Sequence, residues 1–145
     1  MSFETKKLFP LGSDINTNGH LSIAGCDTTE LVNQFGTPLY VYDEGTIRHM
    51  AREFLNTFRE RYTLTRVAYA SKAFLNLAMA QIASEEGLCL DVVSGGEIAV
   101  ATKAGFPTEN MYFHGNNKSA HELSDAIDLG VGTIVVDGFN ELDHL

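Results

Sequence analysis

The sequence predicts an α/β fold, the first part of a closed βα barrel, and three observations lead there. From Thr37 onward, short β-rich runs alternate with amphipathic helical stretches. The runs are apolar at most positions, as strands covered on both faces should be, and each helical stretch stops near a glycine. Five strands are counted, and the sequence reaches Leu145 inside the fifth βα unit, whereas a closed eight-stranded barrel takes about 250 residues. Residues 37–145 are therefore expected to form the first half of such a barrel. Residues 1–36 differ in character and are expected to belong with a separate β-domain.

The strands are expected at Pro38–Tyr42, Arg66–Ala70, Leu88–Val93, Met111–His114 and Thr133–Val136. The first long helix takes Asp43 as its N-cap and lines up Ile47, Met50, Ala51, Phe54, Leu55 and Phe58 in one apolar stripe. Its Arg48, Arg52 and Arg59 read as a solvated face. The next, about Asn76–Glu86, is expected to bury Leu77, Ala78, Gln81 and Ile82 and to stop at Gly87. A third follows Gly96 and stops at Gly105. The fourth opens with Ser119-Ala120-His121-Glu122, a capping box, and closes at Gly130. A fifth begins near Asn140. Within the leading segment, a short strand is expected around His20–Ala24, then a helix capped by Asp27 with Leu31, Val32 and Phe35 turned inward.

The 145 residues are 44% hydrophobic and 20% charged, the composition of a soluble globular chain. Nineteen acidic against ten basic residues give a net charge of -9, which speaks against nucleic acid, because binding a phosphate backbone needs clustered positive charge. Cys26 and Cys89 have no metal-ligand spacing and no disulfide framework, so a reducing cytoplasm is the expected compartment and no metal site is expected. Lys6 and Lys7 are followed by no apolar stretch of the signal-peptide kind, and no apolar run is long enough to span a bilayer.

Catalytic groups of βα barrels sit at the carboxyl ends of the strands. The polar residues expected at those ends are Asp43, Lys72, Asp91, His114 and Asp137. Lys72 follows Arg66-Val67-Ala68-Tyr69-Ala70-Ser71, so it is expected to leave the strand among apolar and aromatic neighbours. Desolvation there would leave a nucleophilic amine able to condense with a carbonyl. By position alone, a solvated strand-end lysine fits as well or better. Asp137 reads as a helix N-cap or turn residue. Ser94-Gly95-Gly96 has the look of an anion-binding helix start, but two glycines are a weak signal and that reading is rejected.

Tyr69-Ala70-Ser71-Lys72-Ala73-Phe74, continuing through Met79-Ala80, Ala83 and Gly87, resembles the cofactor-lysine signature of the ornithine, arginine and diaminopimelate decarboxylases. Gly36–Asp43 resembles that family's opening strand, and Asp91-Val92-Val93-Ser94-Gly95-Gly96-Glu97 its third-strand exit. The resemblance implies a barrel of the alanine-racemase type with pyridoxal 5'-phosphate held by Lys72. It places Asp91 near that lysine and gives Glu97 a part in ordering the loop. A first-turn acid that simply complements the helix dipole accounts for Glu97 equally well. His114-Gly115-Asn116-Asn117-Lys118-Ser119 resembles the diaminopimelate branch. His114 then either faces the cofactor site or orders its own loop through the backbone.

The activity implied is removal of a carboxylate from a small amino acid, meso-diaminopimelate giving L-lysine and carbon dioxide, with the cofactor as electron sink. A homodimer is implied as well, since the family's active sites form between two subunits. The alternatives are a relative acting on ornithine, arginine or carboxynorspermidine, a non-catalytic regulatory homologue, and, more distantly, a racemase or cofactor carrier. The phosphate-binding glycines and the catalytic cysteine of the family have no match in these residues, and neither Cys26 nor Cys89 is assigned to that role.

Overall fold

The computed structural model describes residues 8–145; the stretch holding Lys6 and Lys7 lies outside the described residues. Two compact units are present, one reaching Glu53 and one starting at Phe54.

The first unit is built on a small antiparallel sheet of β1 (Ser13–Ile15), β2 (Leu21–Ile23) and β3 (Cys26–Asp27), in that order. Asn16 organises the β1–β2 turn: its side-chain oxygen accepts the N–H groups of Asn18 and His20, each at 3.0 Å. Helix α1 (Thr28–Phe35) follows, with Asp27 at its N-cap accepting Thr29 N–H and Gly36 ending it at φ 79°. The expected inward stripe of α1 is corrected here, for Leu31 is only half-buried while Val32 and Phe35 are exposed. Strands of two or three residues are too small a surface to cover an eight-residue helix.

No strand forms over Pro38–Tyr42, another correction; Leu39 to Tyr42 are exposed. Apolar and β-branched residues favour extended backbone, but a strand exists only where a ladder partner takes its N–H and C=O groups, and none among the described residues does so here. Asp43 is buried and begins α2 (Glu44–Arg59). It accepts Gly45 N–H at 3.0 Å and the Thr46 hydroxyl at 2.6 Å, while Thr46 accepts Leu11 N–H. The Thr46 hydrogen bond, ahead of the backbone ones, holds the Asp43 carboxyl below its ordinary range. Asp43 is thus the N-cap expected, its carboxylate engaged by the Gly45 amide and the Thr46 hydroxyl at the start of α2. Of the stripe expected on α2, Ala51 and Leu55 are buried, Ile47 is half-buried, and Met50, Phe54 and Phe58 are exposed.

The second unit holds a parallel sheet of β4 (Ala68–Ala70), β5 (Cys89–Val92), β6 (Met111–Phe113) and β7 (Thr133–Ile134), in chain order. These are four of the five expected strands, each shorter than its expected range. The crossovers carry α3 (Leu77–Glu85), α4 (Gly95–Lys103) and α5 (Ala120–Asp128), and α6 (Phe139–Leu142) follows β7. Leu90, Val92, Met111 and Phe113 of the two central strands are buried, as are Ile98, Ala101, Leu123 and Ala126 of the helices, and together they form the core of this unit.

The face of α3 differs from expectation. Asn76 is the N-cap, accepting Met79 N–H at 2.8 Å, and the buried residues are Met79, Ala80 and Ala83, while Leu77 and Gln81 are exposed and Ile82 is half-buried. Small side chains at 80 and 83 allow close approach to the sheet, so the helix buries Ala80 and Ala83 with Met79 and leaves Ala78 exposed as well. The glycine stops at Gly87, Gly105 and Gly130 are as expected, with φ of 71°, 78° and 71° in the left-handed region.

Candidate active site

The carboxyl ends of β4, β5 and β6 lie side by side through the pairings Ala70 with Asp91 and Asp91 with Tyr112. Lys72 and His114 sit just beyond β4 and β6, and Asp91 lies within β5 near its end; these are the three residues singled out from sequence.

Lys72 lies in a single 3-10 turn, Ser71–Ala73, that directly follows β4. The turn is fastened by Tyr69, whose hydroxyl donates to Phe74 O at 2.7 Å and so bridges the lysine from strand to exit. That clasp gives the Tyr-Ala-x-Lys spacing a physical reason, and the sequence reading had not found it. Ser71 is buried, with its hydroxyl unpartnered among the described residues, whereas Lys72 itself is exposed. The expectation that Lys72 is desolvated by apolar neighbours is therefore corrected: the turn lifts it off the strand, and its amine is open.

Asp91 is the penultimate residue of β5, in a half-buried position, and His114 follows β6 with its backbone N–H donating to Val92 O at 2.8 Å. Their side chains meet, His114 Nδ1 against Asp91 Oδ1. A carboxylate accepts and cannot donate, so the hydrogen of this pair belongs on Nδ1 and the ring is held in one orientation. Both options left open for His114 are thereby refined, because its side chain orders the strand ends through a carboxylate and only its main chain does so through the backbone.

The β5–α4 turn is closed by the chain's own acids. Ser94 caps α4 by accepting Glu97 N–H at 3.3 Å, and Glu97 Oε2 reaches back to accept Val93 N–H at 2.7 Å. Gly95 N–H donates to Glu122 Oε1 at 2.9 Å, while the other oxygen of Glu122 completes the capping box with the Ser119 amide and hydroxyl. Donation from the Ser119 backbone, then from Gly95, keeps the Glu122 carboxyl below its ordinary range. At this helix start the Val93 and Gly95 amides are taken by carboxylates and the Glu97 amide by the Ser94 hydroxyl.

A second lysine at the strand ends has the opposite environment. Lys118 has a side chain 1% exposed, and its Nζ donates to Gly115 O at 2.6 Å, Val135 O at 2.8 Å and Glu141 Oε1 at 2.6 Å, with the Phe113 ring 5.6 Å away. An ammonium has three hydrogens and all three are used. Glu141 is held below its usual range by Lys118 and also accepts Asp137 N–H. Asp137 is exposed and precedes the α6 N-cap, which is Gly138. It lies in the irregular stretch between β7 and α6 and is not the helix N-cap.

Comparison with known proteins adds the family. Residues 45–145 match the family described as "Pyridoxal-dependent decarboxylase, pyridoxal binding domain". A diaminopimelate decarboxylase of Bacillus methanolicus is 58% identical over 129 residues, covering 89% of this chain and 30% of the relative. The crystal structure of diaminopimelate decarboxylase from M. jannaschii superposes with a TM-score of 0.82 at 33% identity, covering 94% of this chain and 32% of that one. The same enzyme in co-complex with L-lysine gives 0.79 at 32%, covering 91% and 31%. The chain spans about a third of the length of these relatives. Its parallel βα units are those of the barrel on which these enzymes are built, so the expected α/β class stands. By the match over residues 45–145, this chain belongs to the pyridoxal-dependent decarboxylases and carries their pyridoxal-binding domain.

Proposed function

We propose that the full-length protein is a carboxy-lyase that converts meso-diaminopimelate to L-lysine and carbon dioxide, with pyridoxal 5'-phosphate bound covalently at Lys72. The observation that carries this reading is the contrast between two strand-end lysines. Lys72, inside the family signature, presents an open amine, while every hydrogen of Lys118 is committed to oxygen. An amine must be accessible and not committed to other partners to condense with a carbonyl. The residues present therefore fit the group. The similarity to diaminopimelate decarboxylases supports the substrate, and the L-lysine in one of those structures is the product such a reaction would leave.

Bound pyridoxal phosphate supplies an electron sink for the charge left when a carboxylate departs. The chain's own residues do the rest. Lys72 Nζ, at the exit of β4, would hold the cofactor. Asp91 holds the His114 ring through Nδ1, which fixes the direction in which Nε2 points. Glu97 and Ser94 keep the turn after β5 rigid, so Asp91 keeps its place beside Ala70. We place this chemistry in a cytoplasmic homodimer, in which residues 1–36 pack with a β-domain and residues 37–145 supply the first half of the barrel.

The test uses the full-length protein loaded with pyridoxal phosphate. Borohydride reduction and peptide mapping should put the pyridoxyl adduct on Lys72, and meso-diaminopimelate should yield lysine far faster than L-ornithine or L-arginine yields its amine. Lys72→Ala should abolish turnover and change stability by no more than about 0.5 kcal/mol, since an exposed side chain contributes little packing. An adduct on Lys103 or Lys118, or equal turnover of ornithine, would contradict the assignment.

A further inference from the structure

Lys118 is a buried cation that the proposed chemistry leaves unused, and burying a charge is costly unless it is paired and hydrogen-bonded, as Lys118 is. Its contacts converge on His114 from both sides in sequence. Phe113, the residue before, lies under the ammonium, and Gly115, the residue after, gives it a carbonyl. The remaining two bonds tie that point to Val135, just beyond β7, and to Glu141 on α6. Gly115 is at φ 120°, a conformation with little preference of its own for a bulkier residue, and Lys118 is what holds its carbonyl in place. The His114 main chain is pinned on the other side by Val92 O.

We propose that Lys118, with Glu141 as its counter-charge, is a positioning residue that holds the chain after β6 so that His114 stays on Asp91. The role rests on the functional reading above only in its consequence for turnover; the geometric part stands by itself. Lys118 touches no reacting atom. It converts the ends of β6 and β7 and the start of α6 into one rigid support, so the loop that follows His114 cannot swing and carry the ring away.

The experiment compares full-length wild type with Lys118→Met/Glu141→Leu, which removes both buried charges together and leaves neither alone. With isotope-labelled histidine and no cofactor, the Nδ1 resonance of His114, identified by its loss in His114→Asn, reports the bond to Asp91. In the double variant that resonance should move to the position of an unpaired ring although the melting temperature stays near that of wild type. With cofactor, kcat should fall by about tenfold to a hundredfold, the usual consequence of a small misplacement, and KM by less than about threefold. Lys118→Arg should restore part of the signal, because its fork reaches Glu141 and one carbonyl but cannot reproduce three bonds from one nitrogen. Should the double variant unfold, Glu141→Gln decides instead: it lifts only the counter-charge, and the same resonance must shift in the same direction. An Nδ1 resonance unchanged from wild type in either folded variant overturns the proposal. If wild type gives neither lysine nor an adduct on Lys72, the functional reading fails while the cofactor-free comparison still decides the role of Lys118.

Discussion

At the scale of single residues, a side chain's surroundings decide its chemistry more than its type does. Asp27 shows this in the first unit. It caps α1 through Thr29, accepts Asn16 Nδ2 at 2.6 Å and meets His20 Nδ1 at 2.9 Å. The hydrogen bond from His20 is the largest cause of a pKa lowered from 3.8 to about 2. A depressed carboxylate contributes stability that is complete above pH 3.8 and is lost as the pH falls through about 2. His20→Ala should therefore raise the Asp27 midpoint, read by carboxyl NMR, and move the acid loss of α1 to higher pH; a midpoint unchanged in that variant would remove His20 as the cause. The cap on Asp27 was legible, since an acid before an amphipathic run is a sequence signal. The histidine was not, because it arrives across a β-turn from seven residues away. The placement of Lys72, Asp91 and His114 near strand ends was legible from the βα pattern, yet their environments were not: the sequence carries no mark that a 3-10 turn lifts Lys72 into the open, or that Lys118 is the lysine to be enclosed.

At the scale of elements, local chemistry marks where helices start and stop, while tertiary contact decides which face they bury. Ser119, Glu122 and the terminal glycines were readable because each acts on backbone within four residues. The inward face of α3 was not, since it depends on how close the sheet can come. Pro38–Tyr42 failed as a strand for the same reason, having the composition of one and no ladder partner among the described residues. Gly132 is the sharpest case of contact over pattern. Its N–H donates to Thr108 O at 3.0 Å, where the chain entering β7 passes the turn Thr108–Asn110, and an added Cβ would lie 2.0 Å from Glu109 O. Gly132→Ala must push two backbones apart and should cost about 3 kcal/mol, the upper part of the overpacking range. At Gly138, where nothing lies within 4 Å, the same change should cost only about 0.5 kcal/mol. Equal denaturant midpoints for the two variants would show that the approach at Gly132 relaxes freely.

At the scale of the whole chain, the two units differ in what they leave uncovered. In the parallel sheet, β4 is paired only with β5 and β7 only with β6 among the described residues, so each outer strand offers a free row of N–H and C=O groups. No helix among the described residues is long and apolar enough to cross a membrane, and Phe54, Phe58, Tyr62, Leu64 and Phe139 are exposed. Free edges recruit strands from other copies, and apolar surface of this extent strengthens the contact once made. A net charge of -9 opposes association through repulsion, but salt screens that repulsion and leaves the apolar attraction intact. The 145-residue chain by itself should therefore associate at about 100 μM, where exposed edges and apolar surface typically drive it, and do so more strongly as salt is raised. The full-length protein should hold one fixed stoichiometry over the same range. Light scattering after size-exclusion chromatography, together with binding of a hydrophobic dye, reads both. A monodisperse, dye-free monomer of 15.9 kDa at high salt would mean that these edges and aromatic side chains are protected within the 145 residues themselves.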